Sequence, residues 1–461
     1  MISHYDNTTI CATATASGGA IGIIRVSGEK AIDITDSIFR PAGKGQPLAS
    51  RRAGTIAFGN VMDGTAVVDE VLVSLFHAPH SYTGEHTTEI ACHGSRYILD
   101  RVLQLLIDNG CRMAQPGEFT KRAYLNGKMD LSQAEAVADL IAATNHATHA
   151  IALDQLKGHF SSELSDIRQQ IQRLTSLLEL EIDFSDHEDL EFADRTQLRE
   201  LADKASRHIL KLTKSFETGN ALKKGIPVAI VGKTNVGKST LLNRLLHEDR
   251  AIVSQIHGTT RDAIEDTTDI NGITFRFIDT AGLRETDDEV ENIGIGITYR
   301  KMSQSRIVLW LTDSAPEDAE ITEMLERCGN AHLVVVNNKI DIMPEVFTLP
   351  HFPQLPVIGI SAKNGINIDT LETLLVKTAD IPEINENDVI LTSARHYDAL
   401  VNAHRHLQHV IESMDMNLSG DLIAEDLKFV IDCINEITGK EHLITSQATL
   451  NAIFSEFCIG K

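Results

Sequence analysis

No stretch of this 461-residue sequence approaches the roughly 20 consecutive apolar residues that a membrane-crossing helix requires, so no spanning segment is expected. Its six cysteines, Cys11, Cys92, Cys111, Cys328, Cys433 and Cys458, form no C-x-x-C pair and no zinc-ligand spacing. That excludes a disulfide framework and a zinc ribbon, and reads as reduced thiols of a cytoplasmic protein. Basic charge is short: 42 Lys and Arg stand against 65 Asp and Glu, a formal net charge of −23. A chain-wide electrostatic footprint for RNA, DNA or an anionic membrane is therefore excluded, and any nucleic-acid contact must be local or shared with a partner. The opening Met1-Ile2-Ser3-His4-Tyr5-Asp6 lacks the pattern of a signal peptide. No internal repeat or low-complexity tract is visible. Proline is missing between Pro116 and Pro227, which removes the strongest helix breaker from that whole stretch.

What is present begins with Gly232-Lys233-Thr234-Asn235-Val236-Gly237-Lys238-Ser239-Thr240, a complete G-x-x-x-x-G-K-[ST] loop entered from the apolar run Val228–Val231. Glycines at those places let backbone N–H groups turn toward phosphates, Lys238 reaches the outer phosphates, and the Ser239 hydroxyl suits Mg²⁺. The following helix adds its positive N-terminal end. Downstream, the run His332–Val336 ends in Asn338-Lys339-Ile340-Asp341. A carboxylate at Asp341 can accept from the ring N1–H and exocyclic amine that guanine offers and adenine lacks. Ser361-Ala362-Lys363 resembles the remaining base-contacting loop of GTPases, and Asp279-Thr280-Ala281-Gly282 lies between, placing Asp279 near Mg²⁺ and the Gly282 amide near the γ-phosphate. Their order and spacing predict a GTPase module over about 216–378, with GTP as substrate.

Two customary parts of such a site are lacking. Leu283 follows Gly282 where many GTPases carry a glutamine that orients the attacking water. Glu285, Asp287, Asp288, Glu289 and Glu291 lie just beyond, and any of them can act through a bridging water or simply form a solvated acidic loop. No arginine finger is evident either, although phosphoryl transfer needs positive charge where the transition state becomes negative. The loop Ser254-Gln255-Ile256-His257-Gly258-Thr259-Thr260 is rich in oxygens, and Thr260 can complete the magnesium shell. A monovalent cation between Asn235 and this loop would supply the charge; alternatively Asn235 only braces the phosphate loop.

Residues 1–125 mix β-rich runs, such as Ala20–Val26 and Val67–Phe76, with one helical stretch near Arg96–Asp108, which predicts an α+β domain. Apolar residues then recur at helical spacing: Leu131, Ala134, Ala138, Ile141; Ile167, Ile171, Leu174, Leu178; Leu400, His404, Leu407, Ile411, Met414; and Ile423, Leu427, Val430, Ile434, Ile437. The simplest organisation is a helical domain built from 126–215 and 383–461, with the GTPase module inserted between its halves; the alternative is two separate helical domains.

Taken together these segments resemble the bacterial tRNA-modifying GTPase family known as MnmE or TrmE. The resemblance is carried by Gly18–Gly28, Ser81–Glu85, Thr88-Glu89-Ile90, Pro116–Leu131, Gln133–Ile141, Gly258–Asp262, Asp279–Arg284 and the terminal Phe457-Cys458-Ile459-Gly460-Lys461. It implies a multidomain fold: an α+β folate-binding N-terminal domain, a helical bundle, and an inserted α/β P-loop GTPase domain of Ras-like type. It further implies a potassium-activated GTPase, active as a homodimer with the flavoprotein MnmG in a heterotetramer or larger complex. The complex would attach an aminomethyl or carboxymethylaminomethyl group to the wobble uridine of tRNA with a one-carbon unit from a tetrahydrofolate, in the 5,10-methylene or 5-formyl form. By the same resemblance Arg25, Glu89, Lys128 and Lys461 would contact folate. Asn235, Ser254, Ile256 and Thr259 would hold K⁺, Ser239 and Thr260 would hold Mg²⁺, and Glu291 would position water indirectly. Cys458 is either a nucleophile or a small buried hydrophobe. The competing reading is a regulatory or ribosome-assembly GTPase without modification chemistry, which usually needs a basic RNA-reading module not seen here.

Overall fold

The structure is a computed structural model that describes residues 8–16, 18–43, 45–183, 195–246, 266–278, 302, 304–381, 389–416, 418–439, 447–455, 457 and 460. The chain divides into two compact units, one of residues 1–142, 153–206 and 402–461, the other of 143–152 and 207–401.

The first unit opens with seven strands: β1 (Ile10–Thr13), β2 (Ile21–Ser27), β3 (Phe39–Pro41), β4 (Ile56–Asp63), β5 (Ala66–Phe76), β6 (Thr87–His93) and β7 (Arg112–Met113). They form one sheet in the order β3-β4-β5-β6-β2-β1-β7, with antiparallel neighbours except the β1/β7 pair. Strand β5 shows why one face is buried: Val71, Val73 and Leu75 point inward while Leu72 between them is exposed, the period of two that a half-buried strand requires. The inward face packs on the helices Ala31–Ile38 and Arg96–Asp108, the latter through Leu99, Val102, Leu105 and Leu106.

Long helices follow in the same unit. The stripe Ile167, Ile171, Leu174 and Leu178 of the helix His159–Asp183 packs against the helix Gly420–Thr438, whose own stripe Ile423, Leu427, Val430, Ile434 and Ile437 is buried. The stripe expected from Leu131 fades at its far end. Leu131 and Ala134 are buried, but Ile141, in the last turn of the helix Leu131–Ala142, is 49% exposed. Near the C-terminus, Phe454 and Phe457 pack with Tyr124, Leu131 and Ala134, and the Tyr124 hydroxyl donates to the Gly439 carbonyl at 2.8 Å.

The second unit is a twisted, mostly parallel sheet of β8 (Ile226–Gly232), β9 (Asp266–Ile270), β10 (Ile273–Phe277), β11 (Ile307–Thr312), β12 (His332–Asn337) and β13 (Val357–Gly359), in the order β13-β12-β11-β8-β10-β9. Only β9 runs antiparallel to its neighbour. Strand β11 is apolar on both faces, since Ile307, Leu309 and Leu311 enter one core while Val308 and Trp310 enter the other. Leu241, Leu242 and Leu245 of the helix Lys238–Leu245 cover the first of these faces, and Ile321 of the helix Asp318–Cys328 covers the second. This is a P-loop GTPase fold, in which ligands sit beyond the carboxyl ends of the parallel strands. Among the described residues no helix is long and apolar enough to cross a membrane.

Candidate nucleotide site

The phosphate loop leaves the carboxyl end of β8 at Gly232 and returns as the helix Lys238–Leu245. Gly232 and Gly237 take positive φ, +151° and +100°, and a Cβ at either would be strained and would force a neighbour to shift. It would lie 2.3 Å from the Leu311 carbonyl oxygen at the first position and 2.3 Å from Asn338 Nδ2 at the second. The two glycines are thus required by the packing of the loop against Leu311 and Asn338 as well as by phosphate. Asn235 also has positive φ, +61°, and is exposed, as is Thr240; Val236 is buried and Ser239 half-buried.

Lys238 does not project into solvent. Its ammonium donates to the carbonyls of Gly232 at 2.8 Å and Lys233 at 2.7 Å, and burial depresses its pKa below that of an ordinary lysine. Lys233, by contrast, reaches outward to Glu320 at 2.8 Å, and this pairing raises its pKa.

Asn338, expected only as a base contact, does something the motif does not announce. It is 4% exposed, donates from Nδ2 to the Val236 carbonyl at 2.7 Å, and accepts at Oδ1 from the Ala362 N–H at 3.0 Å. One side chain therefore ties the phosphate loop to the loop after β13. Its own N–H donates to the Thr312 carbonyl of β11, which fixes it at the strand ends. Lys339, at φ +69°, donates to Asp313 Oδ2 at 2.9 Å, and the lysine holds that carboxyl below the usual range. Asp341 and Lys363 are exposed, Ser361 and Ala362 buried. The Ser361 hydroxyl accepts from the Asn364 N–H at 3.3 Å, and the Lys363 carbonyl accepts from Arg244 at 2.9 Å. Asp313 was not foreseen. Its signal is the continuous apolar run Ile307–Leu311 that ends just before it, a buried strand delivering a carboxylate to the ligand edge.

In the other unit, Arg25 and Glu89 face each other across the β2/β6 pair and form an ion pair at 2.8 Å. The Arg25 guanidinium lies 5.5 Å from the centre of the Tyr82 ring and 5.7 Å from that of Phe119, and donates to the Gly460 carbonyl at 3.5 Å. Burial raises the Tyr82 pKa. Lys128 makes a separate contact, donating to the Pro79 carbonyl at 3.1 Å. A second cluster went unread in the sequence: the buried Arg122 donates to both oxygens of Glu85 at 3.1 and 3.0 Å and to Glu118 at 3.0 Å, and Glu118 also receives two bonds from Arg112. Ser254, Gln255, Ile256, His257, Gly258, Thr259, Thr260, Asp279, Thr280, Ala281, Gly282, Glu291, Cys458 and Lys461 lie outside the described residues.

Residues 131–458 match the family model described as the MnmE helical domain, and residues 9–128 match that of the GTP-binding protein TrmE N-terminus. A protein of Bacteroides thetaiotaomicron named tRNA modification GTPase MnmE is 54% identical, over 98% of this chain and 99% of its own. The chain belongs to the MnmE family of tRNA modification GTPases. A Porphyromonas gingivalis protein of the same name is 47% identical over the full length of both chains. The solved G domain of the T. maritima FeoB iron transporter resembles 34% of this chain at 23% identity and a TM-score of 0.26, a distance at which nothing follows for an MnmE protein.

Proposed function

We propose that the protein hydrolyses GTP to drive a tRNA-modifying complex, as a cytoplasmic homodimer working with the flavoprotein MnmG at the wobble uridine. The observation that carries the reading is the Asn338 link, which sets the loop preceding Asp341 against the phosphate loop at 2.7 Å. In that arrangement the Asp341 carboxylate accepts from guanine N1–H and its amine, and Lys238 exchanges its two carbonyl partners for the outer phosphates. A Glu291 carboxylate orders the attacking water through a second water, in place of the missing glutamine.

The donor types suit the two cations. Ser239 presents a hydroxyl on the first helical turn, and Asn235 an exposed amide on the loop. Mg²⁺ would be held by Ser239 and Thr260, and K⁺ by Asn235, Ser254, Ile256 and Thr259; together they would supply the positive charge that no arginine provides. In the N-terminal domain, taken as residues 1–125, Arg25 and Glu89 offer a donor and an acceptor beside the Tyr82 ring, a set that fits a pterin. With Lys128 and Lys461 they would hold a 5,10-methylene- or 5-formyl-tetrahydrofolate, which would supply the one-carbon unit. The GTPase module, about 216–378, would then be an insertion between the helical segments 126–215 and 383–461.

GTP turnover by the full-length protein in potassium and in sodium buffers tests the cation reading. Wild type should be faster in potassium, and Asn235→Ala should abolish the difference; a salt-indifferent wild type rejects it. Titration with 5-formyl-tetrahydrofolate, expected to bind wild type and not Arg25→Ala, tests the folate reading separately.

A further inference from the structure

We propose that the face shared by the helices Ala394–Asp415 and Gly420–Thr438 binds a divalent transition-metal ion, Zn²⁺ by donor type, through His406, His409 and Asp426. The two histidines stand three residues apart, so both imidazoles lie on one side of their helix. Asp426 comes from the other helix, and its Oδ1 lies 3.0 Å from His406 Nδ1. One ligand atom from each of the three residues falls within 4.8 Å of the other two, the only such His/Cys/Asp/Glu group among the described residues. Ligand atoms in a tetrahedral zinc site stand about 3.4 Å apart, from Zn–N bonds of about 2.0–2.1 Å. The His406–Asp426 pair is already inside that separation, and rotation of the exposed His409 ring closes the rest.

The site is also held in place. The Phe429 ring stacks on His406 at 5.1 Å and 22°, fixing the imidazole plane, and all three ligands stand on helices rather than loops. A plain histidine–aspartate ion pair would need only His406 and Asp426; the convergence of a second imidazole is what an ion pair leaves unexplained. Two nitrogens and one oxygen with an open fourth position form a set that Zn²⁺ accepts with water as its remaining ligand.

The test is calorimetric titration of ZnCl₂ into chelator-stripped full-length protein, with Co²⁺ as a spectroscopic substitute. Wild type should take up one ion per chain at this site. His409→Ala and Asp426→Asn should each weaken that uptake at least about tenfold. Zinc should raise the melting midpoint of wild type but not of His409→Ala, whose exposed position keeps the fold intact. No uptake by wild type, unchanged uptake by His409→Ala, or a cobalt–thiolate charge-transfer band that places the ion on cysteine would each overturn the proposal.

Discussion

Asn338→Ala removes a side chain whose two ends satisfy buried backbone groups of two different loops, the Val236 carbonyl at 2.7 Å and the Ala362 N–H at 3.0 Å. Each buried polar group left unpaired costs about 1–3 kcal/mol, so the substitution should destabilise the GTPase unit by about 2–6 kcal/mol. The chain has one tryptophan, Trp310, which is 6% exposed on β11 in the middle of that unit's sheet. Urea unfolding followed by its fluorescence therefore reports this unit alone, avoiding the multi-domain transition that would blur a calorimetric scan. Affinity for a fluorescent GDP analogue should fall as well, because the phosphate loop loses its brace. Asn338→Asp separates the two ends. It keeps an acceptor for Ala362 but sets a carboxylate oxygen against the Val236 carbonyl, so it should bind nucleotide no better than the alanine variant. If Asn338→Ala unfolds within about 0.5 kcal/mol of wild type and binds GDP normally, the brace has no energetic role and the reasoning is wrong.

Two further outcomes follow from the N-terminal unit. Burial acts to raise the Glu118 carboxyl, but the bonds from Arg112 and the Gln115 N–H and the charge of Arg122 outweigh it and hold the group below its ordinary value of 4.5. A depressed carboxyl contributes stability that is present above about pH 4.5 and lost as pH falls through the folded-state value. The melting temperature of wild type should drop across that acid window by more than that of Glu118→Gln, which is weaker at neutral pH and lacks this one titration; parallel curves would count against the network. Gly460→Ala places a Cβ 2.1 Å from the Thr13 carbonyl at a φ of +98°. The tail should release from β1 while the GTPase unit is untouched, seen as faster carboxypeptidase trimming with an unchanged Trp310 unfolding midpoint; equal trimming rates would show that the tail is not held there.

The phosphate loop was legible because its chemistry dictates residue types at fixed spacing, and β8 and β12 announced themselves as apolar runs ending at motif residues. The helical stretch read near Arg96–Asp108 has those limits in the structure. Strand β11 is an apolar run of the same kind but escaped because no nucleotide-binding motif follows it, and Asp313 escaped with it. The bracing role of Asn338 was hidden for a different reason. A motif names the residues that meet a ligand, whereas the partners of Asn338 are a carbonyl and an N–H more than 20 positions away, which only the crossing order of the sheet brings together. The Arg122 cluster is hidden likewise, since Glu85 and Glu118 look in sequence like two unrelated acids.

The grip of Gly232 and Lys233 on the Lys238 ammonium has a consequence for how fast a triphosphate is captured. Two of the ammonium's three protons already point at loop carbonyls before any anion arrives, so docking swaps one set of oxygens for another instead of recruiting a freely rotating amine. Capture should be limited by diffusion and by whatever covers the mouth of the cleft, with little delay owed to the lysine itself.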